Sequence, residues 1–378
     1  MASPATPPTI DVPASSRTVQ VSIIDSGNIN GLPVSLFMGP DIPGFETINA
    51  VIFTFLIEHT DDAGKVSRVL FDLGMPKDVQ HDLAPSQWDL VTTFNCTYDI
   101  TKYVSEILSD AGVDLNTINA MVWSHPHLDH VGRPSLFPPT TELIIGPGVL
   151  ASEKGGYPGN PESIILEREF LGRKVTELDF TSRPFKIGDM DALDYFGDGS
   201  FYFLSAPGHA PGHINALLRT TSQPDTFIYL GADSFHHAGE LRPHKYHPLP
   251  EKVKLASFSP FPCLGELFHK IHPSSQVDPG YAKAHDDPKA TPFYSISEKE
   301  DGSSLALDKH AARETITKIQ SFDADENIFV VGAHDTTLID YVDIFPKKAN
   351  EWKAKGWKEH SRWQFLRDFE NPLSLAHS

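Results

Sequence analysis

Four polar side chains packed into six residues, directly after an apolar run, restrict this chain more than any other feature. The stretch is "INAMVWSHPHLDHVGRP" (Ile118 to Pro134), and its centre, "HPHLDH", holds His125, His127, Asp129 and His130. The lead "INAMVW" reads as a strand, so the cluster sits where a strand ends. Side chains alternate along a chain that has just left a strand, so the His125 and His127 rings can point the same way. Asp129 and His130 follow on a turn and can face a second point a few ångströms away. Imidazole nitrogens and carboxylate oxygens are what a hard or borderline cation binds at about 2 Å. Six residues can therefore give two ligands to each of two ions.

Partners for such ions recur downstream, each leaving an apolar strand. "LSAPGHAPGH" offers His209 in a Gly/Pro turn, "FIYLGADSFHH" places Asp233 at a strand end, and "NIFVVGAHD" does the same for His334. Ligands at strand ends can converge on one edge of a sheet. A chance cluster of histidines would have no reason to be followed by this series.

The rest of the chain bounds what the cluster can serve. With 378 residues and 40% hydrophobic content, a sizeable core can be buried. A net charge of −19 offers no broad positive field, which excludes a phosphate-backbone partner such as nucleic acid. No apolar run reaches the roughly eighteen residues of a membrane span. The start, "MASPATPPTIDVPASSRTVQV", has no basic segment followed by an apolar core, so a cytoplasmic location with free Cys96 and Cys263 thiols is expected.

Residues 1–16 read as a disordered Pro/Ala/Ser-rich lead, followed by one catalytic domain over 17–345. Strand-like segments dominate its first part, among them "TVQVSII", "TINAVIFTFLIEH" and "VSRVLFDLG". "DITKYVSEILSDAG" has helical spacing with Asp99 as its expected N-cap. A second strand-rich stretch runs from about Glu142 to Ala232, and the helix "DKHAARETITKIQSFDAD" precedes the last strand. Two strand-rich halves with helices between them predict a layered α/β architecture, without the regular alternation of a doubly wound parallel sheet. Residues 236–302, rich in Pro, His and Phe, read as a cap over the site. Residues 346–378, with three tryptophans, read as a C-terminal docking segment with helical character.

The order His-x-His-x-Asp-His, Pro-Gly-His, Gly-x-Asp, Ala-His-Asp, together with "VLFDLG" and "SHPHLDHVG", resembles the metallo-β-lactamase superfamily over about Val19 to Asp335. The resemblance implies a four-layer αββα sandwich carrying the cap insertion and the C-terminal extension, with a dinuclear metal site between the sheets. It implies that His125, His127 and His209 hold one divalent ion and that Asp129, His130 and His334 hold the other, with Asp233 bridging. Zinc is the expected ion, and iron or manganese also suits imidazole and carboxylate. Family position favours His209 over His213, which is expected to support the site from behind. Asp72 is expected to orient a ligand, since carboxylates behind ligands raise their basicity; for Asp335 the same role stands level with a plain strand-end one.

Two cations sharing a water lower its pKa from about 15.7 towards 7, so hydroxide is available at neutral pH to attack a carbonyl carbon. Asp129 or Asp233 can then carry a proton to the departing heteroatom. Lactonases of the superfamily place a tyrosine three positions after the bridging aspartate; here that position is His236, expected to donate to the oxyanion or the leaving group. The cap and tail are similar to those of metallo-hydrolases of filamentous fungi, some of which open lactam or lactone rings of plant defence compounds such as benzoxazolinones. The expected activity is hydrolysis of a small cyclic amide or ester. The rival readings are a thioesterase, glyoxalase II-like or polyketide-releasing, and an iron-dependent oxidoreductase on the same fold.

Overall fold

A computed structural model describes residues 5–94, 96–182, 184–258, 261–275, 287–299, 302 and 304–376. Strands from the two halves of the chain build two sheets stacked face to face. The first runs Thr97–Asp99, Val19–Pro33, Thr47–Thr60, Val66–Phe71, Ile118–Val122, Glu142–Ile145, Val175–Glu177, in that spatial order. The second runs Ile328–Val331, Asp225–Leu230, Ile214–Ser222, Phe201–Ser205, Met190–Asp194, Phe185–Ile187.

Period-two alternation decides which side chains meet between the sheets. Val51, Phe53, Phe55 and Ile57 of one sheet share a buried cluster with Phe201, Phe203, Ile228 and Leu230 of the other. The intervening residues point outward and are covered by helices. Tyr202 and Leu204 pack with the helix Lys309–Ala324, which buries Ala312, Ile316, Ile319 and Phe322 along one stripe. Asp308 caps that helix by accepting from the backbone N–H groups of His310 and Ala311. On the opposite face, Leu70 and Met121 pack with Val104 and Leu108 of the helix Val104–Asp110. The layers are thus α, β, β, α. That helix starts after Tyr103, whose N–H is taken by Glu106, and not at Asp99, which instead closes a strand paired with Asn28.

Strand direction places the candidate ligands on one edge. Val66–Phe71 runs parallel to Ile118–Val122, and Asp225–Leu230 runs parallel to Ile328–Val331. Phe201–Ser205 shares the direction of Asp225–Leu230, because both are antiparallel to the strand between them. Asp72, the histidine cluster, His209, Asp233 and His334 therefore all leave strands at the same end.

Two segments differ from their sequence-based descriptions, and the C-terminal segment is helical as expected. Residues 5–16, expected as a disordered lead, lie against the second sheet: Ile10 is buried there and the Pro13 carbonyl accepts from the wholly buried Arg219. The described part of the insertion 236–302, expected as a cap over the site, is anchored elsewhere. Its Phe268 and Phe293 pack instead with Phe365, Leu366 and Phe369 of the C-terminal segment and with Val34 and Met38. Each such side chain gains about 1.5–3 kcal/mol by burial, which is why they are spent in a core of their own. The tail also sends Trp352 and Trp357 into the cluster between the sheets and ends in the helix Glu370–Leu375. No helix among the described residues is long and apolar enough to cross a membrane.

Candidate metal centre

The turn after Ile118–Val122 carries the densest part of the site. The short helix Leu128–Val131 starts at His127 and stops at Gly132, whose φ of +49° and contact with Leu73 leave no room for a side chain. A second turn, Pro207-Gly208-His209, is pressed against the start of the helix Lys309–Ala324: a Cβ on Gly208 would meet the Ala312 backbone nitrogen at 2.1 Å. His209 is held at the strand edge by that close approach.

Two groups of ligating atoms form. His125, His127, His209 and Asp233 make one, and Asp129, His130 and His334 make the other; within each, the candidate atoms lie within 4.8 Å of one another. Asp233 spans them. Its Oδ2 is 3.6 Å from His125 Nε2 and 3.5 Å from His209 Nε2. Its Oδ1 is 3.0 Å from His130 Nε2 and 3.1 Å from His334 Nε2. Asp129 Oδ2 adds a contact of 3.4 Å to His334 Nε2.

The rings are fixed from behind. His130 Nδ1 donates to Asp72 Oδ2 at 2.8 Å, and His334 Nδ1 donates to the Val51 carbonyl at 2.9 Å. Ser124 donates its N–H and hydroxyl to Asp72 and sits 3.0 Å from His125 Nδ1. Asp72 holds this arrangement with a φ of +60°, a left-handed backbone that non-glycine residues adopt uncommonly and that collects at functional sites. Each of these bonds consumes Nδ1 and aims Nε2 inward, which is how a protein presents imidazole to a cation.

Whether cations fit is answered by the atoms left over. His125 Nε2, His130 Nε2 and Asp233 Oδ1 are buried and make no hydrogen bond. Buried polar atoms rarely go unpaired unless an ion or ligand is meant to meet them. Burial, reinforced by neighbouring imidazoles, holds His125 and His209 well below the usual histidine range, so they offer neutral lone pairs. At His130 burial is outweighed by Asp233 and Asp72, which raise it well above that range. Burial resists ionisation of Asp233, but His130 and His334 outweigh it and hold the carboxyl well below its ordinary value. The residues fit two divalent cations, and the donor set of imidazole and carboxylate does not select one metal.

The metallo-β-lactamase superfamily model matches residues 51–216. A γ-lactamase of Fusarium pseudograminearum, FDB1, is 42% identical over 98% of this chain and 87% of its own. The chain belongs to the metallo-β-lactamase superfamily. A metallo-hydrolase of Annulohypoxylon moriforme, mfmC, is 40% identical over 97% of this chain and 91% of its own. The crystal structure of a quorum-quenching N-acyl homoserine lactone hydrolase shares the fold, with a TM-score of 0.53 over 88% of this chain and 99% of that one at 14% identity.

Within this superfamily member, His213 stands behind the site: Nδ1 donates to the Ala206 carbonyl, leaving Nε2 to accept the Asp233 N–H. Burial pushes its pKa down to about 3, in keeping with a neutral ring. Asp335 makes no hydrogen bond to a ligand ring; it caps the turn Thr336–Leu338 through Thr337. His236 is buried, with Nε2 3.5 Å from Asp233 Oδ2 and its ring 4.5 Å from that of Phe37.

The two groups open into a cavity of about 350 Å³. Its wall includes Leu36, Phe37, Ile48, Leu90, Phe94 and Tyr98; among the described residues it has no Lys, Arg or Glu and its acidic side chains are Asp129 and Asp233, while at His236 burial is outweighed by Asp233 and Glu240, which raise its pKa to about 9. Among the described residues of 236–302, only His236 reaches that wall. Sequence reading therefore missed the helix Pro85–Thr93 as a wall element, and it missed Ser124 although its place beside His125 was a usable signal. It also missed Glu240, whose Oε2 accepts the His236 N–H at 2.7 Å.

Proposed function

We propose that this protein is a dinuclear metallo-hydrolase that opens a small, uncharged cyclic amide or ester, a lactam or lactone. One observation carries the reading: paired ligand groups face a cavity whose described wall, outside those ligands, is mainly apolar and has no Asp, Glu, Lys or Arg side chain. A substrate bearing a glutathione or phosphopantetheine arm would leave its carboxylates or phosphate uncompensated there. A flat, apolar ring loses nothing by entering. The γ-lactamase relative supports a cyclic amide, and a bicyclic aromatic ring of the benzoxazolinone type is the substrate class to test first.

In this reading His125, His127 and His209 would hold one cation and Asp129, His130 and His334 the other, with Asp233 placed to serve both. Zinc is the proposed ion. When bound, such ions supply a water made acidic enough to ionise near neutral pH and a Lewis acid for a carbonyl oxygen. The chain's own residues do the rest. The apolar wall excludes bulk water and orients the ring. Asp129, which lines the cavity, takes a proton on a carboxylate oxygen and returns it to the departing heteroatom. His236 Nε2, on the same wall, donates a hydrogen bond to the substrate carbonyl or the leaving atom.

The test is a hydrolysis screen of protein loaded with zinc, manganese or iron against aryl lactams, lactones and acyl thioesters, with oxygen uptake followed in parallel. Ring opening is expected, with thioesters poor substrates. Dominant thioester turnover, or iron-dependent oxygen consumption without hydrolysis, overturns the proposal.

A further inference from the structure

His125, His130 and His334 share one arrangement: a group behind the ring engages Nδ1 and leaves Nε2 facing inward. His236 repeats it without being one of the candidate ligands. Its Nε2 lies 3.5 Å from Asp233 Oδ2, as does His209 Nε2. Its Nδ1 lies 3.8 Å from Glu240 Oε2. Two carboxylates therefore bracket one buried imidazole.

Packing alone does not choose this orientation. Phe37 lies against the ring with centroids 4.5 Å and planes 33° apart, and the His209 ring stands 5.0 Å away. Such contacts set the plane of an imidazole but not its flip about the Cβ–Cγ bond, because exchanging a ring nitrogen for a carbon barely alters its shape. A polar neighbour has to decide between the two, and the carboxylate at Nδ1 is placed to do so. At 3.8 Å the contact is longer than a hydrogen bond, and its buried setting is what gives the charge force.

Glu240 is costly to keep where it is. Its side chain is fully buried, Oε1 has no hydrogen-bond partner, and no lysine or arginine among the described residues pairs with it. A buried carboxylate without a basic partner opposes folding. Oε2 also accepts the His236 backbone N–H at 2.7 Å, a task that a neutral amide would perform. The backbone bond does not account for the charge; the ring beside it does. The carboxylate is held in turn by its short helix Ala238–Leu241, which is tied at both ends: His237 Nδ1 accepts the Gly239 N–H, and Arg242 donates to buried Asp323.

We propose that Glu240 is a positioning residue: acting on Nδ1, it selects the His236 orientation that aims Nε2 at Asp233 and the cavity the two residues line. The inference rests on the ring-opening reading, in which Nε2 donates to the substrate.

The experiment is a double-mutant cycle on zinc-loaded protein with a neutral aryl lactam or lactone. Glu240→Met keeps the volume and removes the charge. It lowers kcat about 10–100-fold with KM within about twofold, and costs less than about twofold when His236 is already alanine. Glu240→Gln keeps an acceptor for the backbone N–H; it carries the same comparison with a loss of about fivefold, and stands in if the methionine variant fails to fold. Neutron diffraction, which tells ring nitrogen from carbon, shows Nδ1 toward residue 240 in wild type and a flipped or divided ring once the charge is gone. An equal loss in both backgrounds, or kcat within about twofold of wild type, overturns the proposal, as does one unchanged ring orientation. If wild type opens no ring, the functional reading has failed, and the ring orientation still decides the role of Glu240.

Discussion

At the strand ends three of the five candidate histidine ligands have a specific partner behind them: Asp72 for His130, Ser124 for His125, the Val51 carbonyl for His334. Across the cavity, Leu36, Phe37, Ile48, Leu90 and Phe94 present apolar side chains held by packing, and Leu90 is 38% exposed at the surface. The ligand edge is directional and over-determined, because an imidazole that rotates by a fraction of its width no longer meets an ion. The wall is non-directional and needs only volume and hydrophobicity. Chemistry and substrate choice are thereby assigned to parts of the molecule with different tolerance to change.

That division sets an order of effects. Asp233→Ala removes the carboxylate between both groups and should lower turnover by roughly a thousandfold or more, with cation content measured by mass spectrometry falling alongside. Retained turnover with retained cations would break the comparison at its strongest point. Asp72→Ala leaves every candidate ligand in place but frees the His130 ring; cation affinity should fall about 10–100-fold in a competition assay with a chelator. On the opposite wall, Leu90→Lys should raise KM for a neutral lactam about fivefold while kcat stays within about twofold, since it alters binding and not the reacting groups. An equal drop in kcat would mean that the wall takes part in the chemistry. Smallest of all, Cys96→Ser replaces a half-buried thiol outside the cavity lining and should leave both constants within about twofold of wild type in steady-state assays.

The candidate ligands were legible because each requirement is local. A cation demands a donor type, a strand end supplies direction, and both are written within a few residues around His125, His209, Asp233 and His334. Alternation likewise made the two sheets readable. The packing of the insertion was not legible because hydrophobic content says that Phe268 and Phe293 will be buried, not against what. The lead was misjudged for a related reason: Ile10 and Pro13 look unremarkable until the second sheet and Arg219 exist for them to meet.

By itself the amino-acid order settled the layered architecture, the superfamily and the identity of the side chains that converge, since strand period and ligand chemistry act over short distances along the chain. Only the tertiary structure decided what surrounds them: the helix Pro85–Thr93 as a wall, and the described part of 236–302 packed against the C-terminal segment. Those features arise from contacts between residues far apart in sequence, and packing is indifferent to which apolar partner it finds until the whole chain has chosen.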